Sequence, residues 1–201
     1  MTEIKNIIFD VGEVLIGYHW EEMLDSQGLD EQTKLRIGQE VFSDPEKVWH
    51  RFDLGLLKKE EVINLLCEEF PEDADIITWA VTHSELMPKA RPMVWDRVHE
   101  LKEKGYGIYI LSNYPEELFQ QHIGGERVLA DMDGIVVSSR YHVGKPERRI
   151  YEILCEEYGL KPEECIFFDD RKENVEAAIG FGMQSVQVVS EEGLLADLSA
   201  L

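Results

Sequence analysis

The segment that decides the fold is Ile4-Lys-Asn-Ile-Ile-Phe-Asp-Val-Gly-Glu-Val-Leu15. Its short apolar run stops at Asp10, and Gly12 then turns the chain. A short apolar run bounded by turn residues is typical of a buried strand in a parallel sheet. In open α/β sheets, binding and catalytic groups lie just outside the carboxyl ends of such strands. The sequence therefore places the Asp10 carboxyl group at the edge of the sheet where chemistry takes place.

Strand and helix patterns alternate from Arg91 to Val189, which is typical of βαβ units and predicts a parallel sheet. The predicted strands after the first are Gly107–Asn113, Gly134–Ser139, Glu164–Asp169 and Gln184–Val189. The predicted helices are Arg91–Lys104, Glu116–His122, Pro146–Tyr158 and Glu173–Gly180. The fold class predicted from this alternation is α/β, with a Rossmann-like doubly wound parallel sheet.

A helical segment separates the first strand from this alternating region. Between Trp20 and Met87 the apolar residues recur at three- and four-residue spacing, without a strand pattern, and Ser43–Glu46 has the residues of a helix start. We therefore predict an inserted, small all-helical cap over residues 16–88, and a core domain formed by residues 1–15 and 89–201. Because the insertion follows the Asp10 strand directly, we expect the cap to lie over the catalytic edge.

Composition limits the classes of partner. The 201 residues include 20 Lys and Arg against 41 Asp and Glu, a formal net charge of −21. This charge argues against nucleic acid or an anionic membrane as a partner, because both require a basic surface. The three cysteines form no metal-binding spacing, and no apolar run approaches the ~20 residues of a membrane span. We expect a cytoplasmic protein with reduced thiols, and the composition leaves its oligomeric state open.

Polar residues follow the predicted strands, and together they suit phosphoryl transfer. Asp10 is a candidate nucleophile, which would form a covalent aspartyl-phosphate. The adjacent acids Asp169 and Asp170, with Asp10, form the oxygen-rich set that Mg²⁺ prefers. An anionic phosphoryl group also needs fixed positive charge and hydrogen-bond donors.

The remaining strand-end residues supply those donors. Lys145 offers a positive charge and Ser112 a hydroxyl group. The backbone N–H groups around Ser112 and Asn113 lead into the next predicted helix, where anions bind readily. These residues are therefore the candidates for binding the phosphate of a small phosphorylated metabolite.

Four motifs in order carry a resemblance to a known family. They are Phe-Asp10-Val-Gly-Glu-Val-Leu, Leu-Ser112-Asn113, Gly-Lys145-Pro146 and Phe-Phe-Asp169-Asp170-Arg-Lys-Glu-Asn174. The chain resembles the haloacid dehalogenase superfamily, and within it the members with a C1-type helical cap that are similar to bacterial α-glucose-1-phosphate phosphatases.

The resemblance implies a role for each of these residues. Asp10 would be the nucleophile and a Mg²⁺ ligand, with Lys145 as the charge stabiliser and Ser112 as a phosphate binder. It further implies that the metal is held by the backbone carbonyl of Gly12 and by Asp170, with Asp169 and Asn174 in support.

Gly12 departs from the family pattern. Most phosphatases of this superfamily read Asp-x-Asp in the first motif, and the second acid protonates the leaving oxygen. Its loss costs about 10²–10⁴-fold for a leaving group that needs a proton. We therefore expect a substrate whose leaving group departs readily, such as an anomeric sugar hydroxyl or an acyl phosphate. Glu13, His19 and His50 are alternative proton sources.

The predicted function is a Mg²⁺-dependent phosphatase that acts on a small phosphorylated metabolite, a sugar phosphate. Two alternatives remain open at this point. A 2-haloacid dehalogenase also lacks the second acid, although it has no use for a metal cluster. A non-catalytic binding or regulatory protein could keep the fold after losing the acid.

Overall fold

The computed structural model describes residues 2–42 and 48–201. Its strands are β1 (Asn6–Phe9), β2 (Ile16–Tyr18), β3 (Pro88–Ala90), β4 (Gly107–Ser112), β5 (Gly134–Val137), β6 (Cys165–Asp169) and β7 (Gln184–Gln187). Five of them form a parallel sheet in the order β5-β4-β1-β6-β7. The predicted α/β class and parallel sheet are therefore confirmed.

Eleven α-helices lie in the described part of the chain, besides short 3₁₀ turns. They are α1 (Trp20–Asp25), α2 (Glu31–Phe42), α3 (Val48–Asp53), α4 (Lys59–Glu69), α5 (Ala74–Thr82), α6 (Pro92–Glu103), α7 (Glu116–His122), α8 (Ser138–Tyr141), α9 (Arg148–Tyr158), α10 (Lys172–Phe181) and α11 (Glu191–Ser199). No helix in these residues is long and apolar enough to cross a membrane. The predicted helix start at Ser43–Glu46 lies outside the described residues.

The first strand lies at the centre of the sheet and is covered on both faces. Ile7 and Phe9 belong to one hydrophobic cluster, which also contains residues of α1, α5 and α6, whereas Ile8 packs in a second cluster with α9 and α10. Alternate side chains of a strand point to opposite faces, so a strand buried on both faces reads as a continuous apolar run. Burial on both faces is the reason that the residues before Asp10 form a continuous apolar run.

A short antiparallel ribbon lies where the helical segment joins the sheet. Strand β2 pairs with β3, with Ile16 opposite Ala90 and Tyr18 opposite Pro88. Helices α1 to α5 all lie between these two strands in the sequence. The ribbon was not predicted, because three residues per strand are too few to establish a periodicity. The division into a core and a cap at residues 16–88 stays a prediction.

Several element ends differ from the prediction by one or two residues, and hydrogen bonds explain two of these differences. The strand predicted to reach Ser139 ends at Val137, and Ser138 begins helix α8. The Ser138 hydroxyl accepts a hydrogen bond from the backbone N–H of Tyr114 at 2.9 Å and donates one to the backbone carbonyl of Asp53. This serine therefore connects the sheet to helix α3 instead of extending the strand. Helix α9 begins at Arg148 instead of Pro146, after a turn closed between Glu147 N–H and the Gly144 carbonyl at 2.9 Å.

Candidate active site

Asp10 follows the central strand, and three donors hold one of its carboxylate oxygens. Oδ1 accepts hydrogen bonds from the Val11 backbone N–H at 2.7 Å and from the Ser112 hydroxyl at 2.6 Å. The ammonium group of Lys145 lies 2.9 Å from the same oxygen. Ser112 ends β4, the strand adjacent to β1, so the parallel register itself brings these two residues together.

Lys145 is buried between two carboxylates. Its ammonium nitrogen lies 2.6 Å from Asp169 Oδ2, besides its contact with Asp10. Burial alone lowers the pKa of a lysine, but the two carboxylates outweigh this effect and raise the pKa of Lys145 above its usual value. The side chain therefore carries a fixed positive charge at the sheet edge.

Asp169 is fully buried and bonded by protein donors at both oxygens. Lys145 contacts Oδ2, the Arg171 backbone N–H donates to Oδ1 at 2.8 Å, and the Asn174 amide lies 3.0 and 3.1 Å from the two oxygens. Because donors hold both of its oxygens in place, the Asp169 carboxylate fixes the position of the Lys145 ammonium group. Asn174 in turn fixes Asp169.

Three acids meet beside this lysine. One carboxylate oxygen of each of Asp10, Asp169 and Asp170 lies within 4.8 Å of the others. Burial and mutual repulsion raise the pKa of Asp10 to about 6 and that of Asp170 to about 7. Three acids beside one lysine leave a net negative charge at this buried edge of the sheet. Carboxylate oxygens are the ligands that a hard divalent cation prefers. The donor set therefore fits Mg²⁺.

The side chain of Asn113 holds the chain at Lys145. Its amide nitrogen donates to the Lys145 carbonyl at 2.8 Å, and its amide oxygen accepts from the Lys145 backbone N–H at 2.8 Å. An asparagine amide has one acceptor group and one donor group, which match the two groups of a peptide unit. The sequence predicted phosphate binding at Asn113, whereas its side chain is bonded to the lysine segment.

A cavity of about 290 Å³ opens over the acids. Its lining includes Asp10, Gly12, Ser112, Asn113 and Asp170 of the predicted site. It also includes residues that sequence reasoning did not assign to the site: Tyr18, Trp20, Trp49, Asp53, Met87, Tyr114 and Leu118. No local motif marks these residues. Tyr114 and Leu118 follow strand β4, whereas the other five belong to the segment between β1 and α6 and reach the cavity through its packing against the sheet.

The ring of Tyr18 fills the space beside Gly12. A Cβ atom on Gly12 would lie 3.2 and 3.3 Å from two carbons of this ring. The Tyr18 hydroxyl donates to the Tyr114 hydroxyl, which lies 2.8 Å from Nδ1 of His122. Most phosphatases that the chain resembles carry a second acid at the position of Gly12. Here the ring of Tyr18 takes up the space that such a side chain would enter.

The three alternative proton sources are placed differently. Glu13 lines the cavity, but one oxygen accepts from the Tyr18 backbone N–H at 2.6 Å and the other pairs with Arg91 at 2.7 Å. His19 pairs with Glu22 at 2.9 Å and is not among the residues that line the cavity. His50 is also absent from that lining.

The central strand thus brings an acid together with a buried lysine, a serine and two further acids at one edge of the parallel sheet. The chain belongs to the family of haloacid dehalogenase-like hydrolases, whose profile matches residues 4–182. The superfamily predicted from the four motifs is thus confirmed, while the C1-type cap and the glucose-1-phosphate phosphatase branch stay predictions.

Phosphatases are among its relatives. The chain is 27% identical over 202 residues to sesquiterpene phosphatase astK of Aspergillus oryzae, covering 100% of this chain and 97% of the relative. It is 29% identical over 223 residues to phosphatase MT3486 of Mycobacterium tuberculosis, covering 98% and 95%.

A similar fold occurs in the HAD family enzyme bt-2542 of Bacteroides thetaiotaomicron, solved in complex with magnesium and inorganic phosphate. The TM-score is 0.71 at 22% identity, with 92% of this chain and 93% of the other covered. Dehalogenases also occur among the relatives and the similar structures. The comparisons therefore establish a hydrolase family that contains both phosphatases and dehalogenases.

Proposed function

We propose that this protein is a Mg²⁺-dependent phosphatase that hydrolyses a small phosphorylated metabolite, a sugar phosphate, through an aspartyl-phosphate on Asp10. The observation that carries the proposal is the grouping of Asp10 with Ser112, Lys145 and Asp170 at the end of the central strand. Two relatives that are named as phosphatases and span nearly the whole chain support this reaction class.

In this proposal Asp10, Asp170 and the backbone carbonyl of Gly12 hold Mg²⁺, with Asp169 and Asn174 in support. The bonding of Asp169 to Lys145 and Asn174 favours a supporting role for that residue. When bound, the ion supplies charge neutralisation for the phosphoryl oxygens and for the acids.

The chain's own residues carry out the transfer. The Asp10 carboxylate attacks phosphorus in line with the leaving oxygen, and water later hydrolyses the aspartyl-phosphate. Ser112 and Lys145 lie within hydrogen-bond distance of the attacking carboxylate, so they can also reach oxygens of a phosphoryl group bound there. Lys145 contributes a charge because its raised pKa keeps it protonated.

The cavity supports a small metabolite as the substrate. Its volume of about 290 Å³ suits a small molecule, and Trp20 and Trp49 line it together with Asp53. Aromatic faces can contact the C–H faces of a sugar while a carboxyl group bonds its hydroxyls. The cytoplasmic location and the absence of nucleic-acid and membrane partners remain predictions, in line with the net charge.

The competing reaction is that of a 2-haloacid dehalogenase, which the dehalogenases among the relatives and the missing second acid favour. The cluster of Asp10, Asp169 and Asp170 argues against it, because displacement of halide by a carboxylate needs no cation. A non-catalytic binding protein is the remaining alternative. Metal dependence and phosphate release separate the three.

Removal of metal is expected to lower the release of phosphate from a panel of sugar phosphates by about 10²–10³-fold, because a metal Lewis acid contributes several kcal/mol. Added MgCl₂ should restore the rate, and treatment with EDTA already saturated with Mg²⁺ is the control. Phosphate release that persists in EDTA would contradict the metal site. Halide release from 2-chloropropionate in EDTA would instead identify a dehalogenase.

A further inference from the structure

We propose that Asp53, the last residue of helix α3, donates the proton to the leaving oxygen and so performs the role that Gly12 cannot. This proposal rests on the phosphatase function proposed above. The site needs a proton donor from elsewhere because position 12 is a glycine, so the first motif has no second acid. The ring of Tyr18 fills the space beside this glycine.

The structure fixes the end of α3 over the cavity. The backbone carbonyl of Asp53 accepts a hydrogen bond from the Ser138 hydroxyl at the end of β5. Two residues further, Gly55 has φ +67°, and a Cβ atom there would lie 2.7 Å from the Ser139 carbonyl oxygen. Helix α3 is thus in close contact with α8, and Asp53 lines the same cavity as Asp10 and Ser112.

The carboxyl group of Asp53 has no partner in the described part of the chain. No hydrogen bond or ion pair reaches its side-chain oxygens there, although its backbone carbonyl is bonded. Asp53 is half-buried, and the desolvation of a carboxyl group that has no partner favours its neutral form. Burial raises the pKa of Asp53 well above its usual value, and Asp10 adds to this effect, whereas Arg171 and Lys145 oppose it. Burial thus favours the protonated form of this carboxyl group, which is the form that a proton donor requires.

The other acidic groups of the cavity are poorer donors. Both oxygens of Glu13 are engaged, by the backbone of Tyr18 and by Arg91. Burial raises the pKa of the Tyr18 and Tyr114 phenols, which makes them weaker acids. Burial lowers the pKa of His122 to about 4, so this residue holds no transferable proton at neutral pH. With Asp10 proposed as the nucleophile and Asp170 as a metal ligand, Asp53 is the remaining acid among the described residues that line the cavity.

The proton balance closes over the two steps. The Asp10 carboxylate forms a bond to phosphorus, the bond from phosphorus to the leaving oxygen breaks, and its electron pair takes the Asp53 proton to release an alcohol. Water then attacks the aspartyl-phosphate and gives one proton to the Asp53 carboxylate. Inorganic phosphate leaves with the water oxygen, and both aspartates return to their starting states.

The test compares two esters that differ in their need for a proton. In Asp53→Asn, kcat/KM for n-butyl phosphate is expected to fall by about 10²–10⁴-fold, because its alkoxide leaving group requires general acid catalysis. The value for p-nitrophenyl phosphate is expected to change less than about threefold, because p-nitrophenolate departs without a proton. Activity on this aryl ester also shows that the variant is folded.

Asp75→Asn is the matched control, since it makes the same chemical change at an exposed position of α5 outside the cavity. It should leave both esters unaffected. Equal losses on the two esters in Asp53→Asn, or no loss on either, would overturn the role of Asp53 while leaving the phosphatase proposal in place. A wild-type protein that hydrolyses the sugar phosphates but not n-butyl phosphate would overturn the role of Asp53 alone. One that releases phosphate from neither ester and from no sugar phosphate of the panel would overturn both proposals.

Discussion

Asp10→Asn is expected to lower kcat for phosphate-ester hydrolysis by about 10⁴-fold or more, because an amide cannot act as the nucleophile that forms the covalent intermediate. Asparagine has nearly the same shape, and its amide oxygen can still accept from the Val11 N–H and the Ser112 hydroxyl. The loss should therefore come from chemistry and not from unfolding. The measurement is phosphate release at saturating ester and Mg²⁺, with Asp75→Asn as the control.

The stability of Asp10→Asn distinguishes the causes of any loss. Removing one of three neighbouring acids relieves repulsion, so the urea midpoint should stay at or above that of the wild type when no metal is present. An inactive but stable variant supports the nucleophile assignment. A variant that retains more than a few per cent of the wild-type kcat would contradict it.

Lys145→Met is expected to destabilise the metal-free protein by about 3–5 kcal/mol, because removing one partner of a buried ion pair leaves an uncompensated buried charge. Methionine keeps much of the apolar stem but cannot neutralise Asp10 or Asp169, which lie 2.9 and 2.6 Å from the ammonium nitrogen. The free energy of unfolding would be measured by urea titration at pH 7 in EDTA.

Lys161→Met is the control for this loss. Its side chain is 67% exposed and lies 3.6 Å from Glu164, and substitutions at such surface positions change stability by about 0.5 kcal/mol or less. Equal unfolding midpoints for the Lys145 and Lys161 variants would show that the buried lysine does not hold the acids together.

Three of the predicted site residues that lie together in the structure end or directly follow a core strand. Asp10, Ser112 and Asp169 come directly after apolar runs, and the carboxyl ends of parallel strands meet at one edge. A linear pattern is therefore enough to predict that they meet. Lys145 was found through its motif, and its burial between two carboxylates explains why a lysine is needed there.

The contacts that other residues make around the cavity could not be predicted in this way. Asp53 ends helix α3 and carries no local signal, because its position at the cavity depends on how α3 packs against α8. Tyr18 lies six residues after Gly12, and only the turn into β2 brings its ring beside that glycine. The side-chain amide of Asn113 is bonded to the backbone of Lys145, which lies 32 residues further along the chain. Contacts of this kind depend on tertiary packing and not on periodicity.

In the proposed mechanism, Asp10 becomes phosphorylated during each turnover. The most direct measurement is an acid quench, within milliseconds, of the protein mixed with Mg²⁺ and a ³²P-labelled ester, followed by peptide mapping. We expect an acid-stable, hydroxylamine-sensitive label on the peptide that contains Asp10, and no label in Asp10→Asn. Sustained phosphate release with no labelled protein, or with the label on another residue, would contradict it.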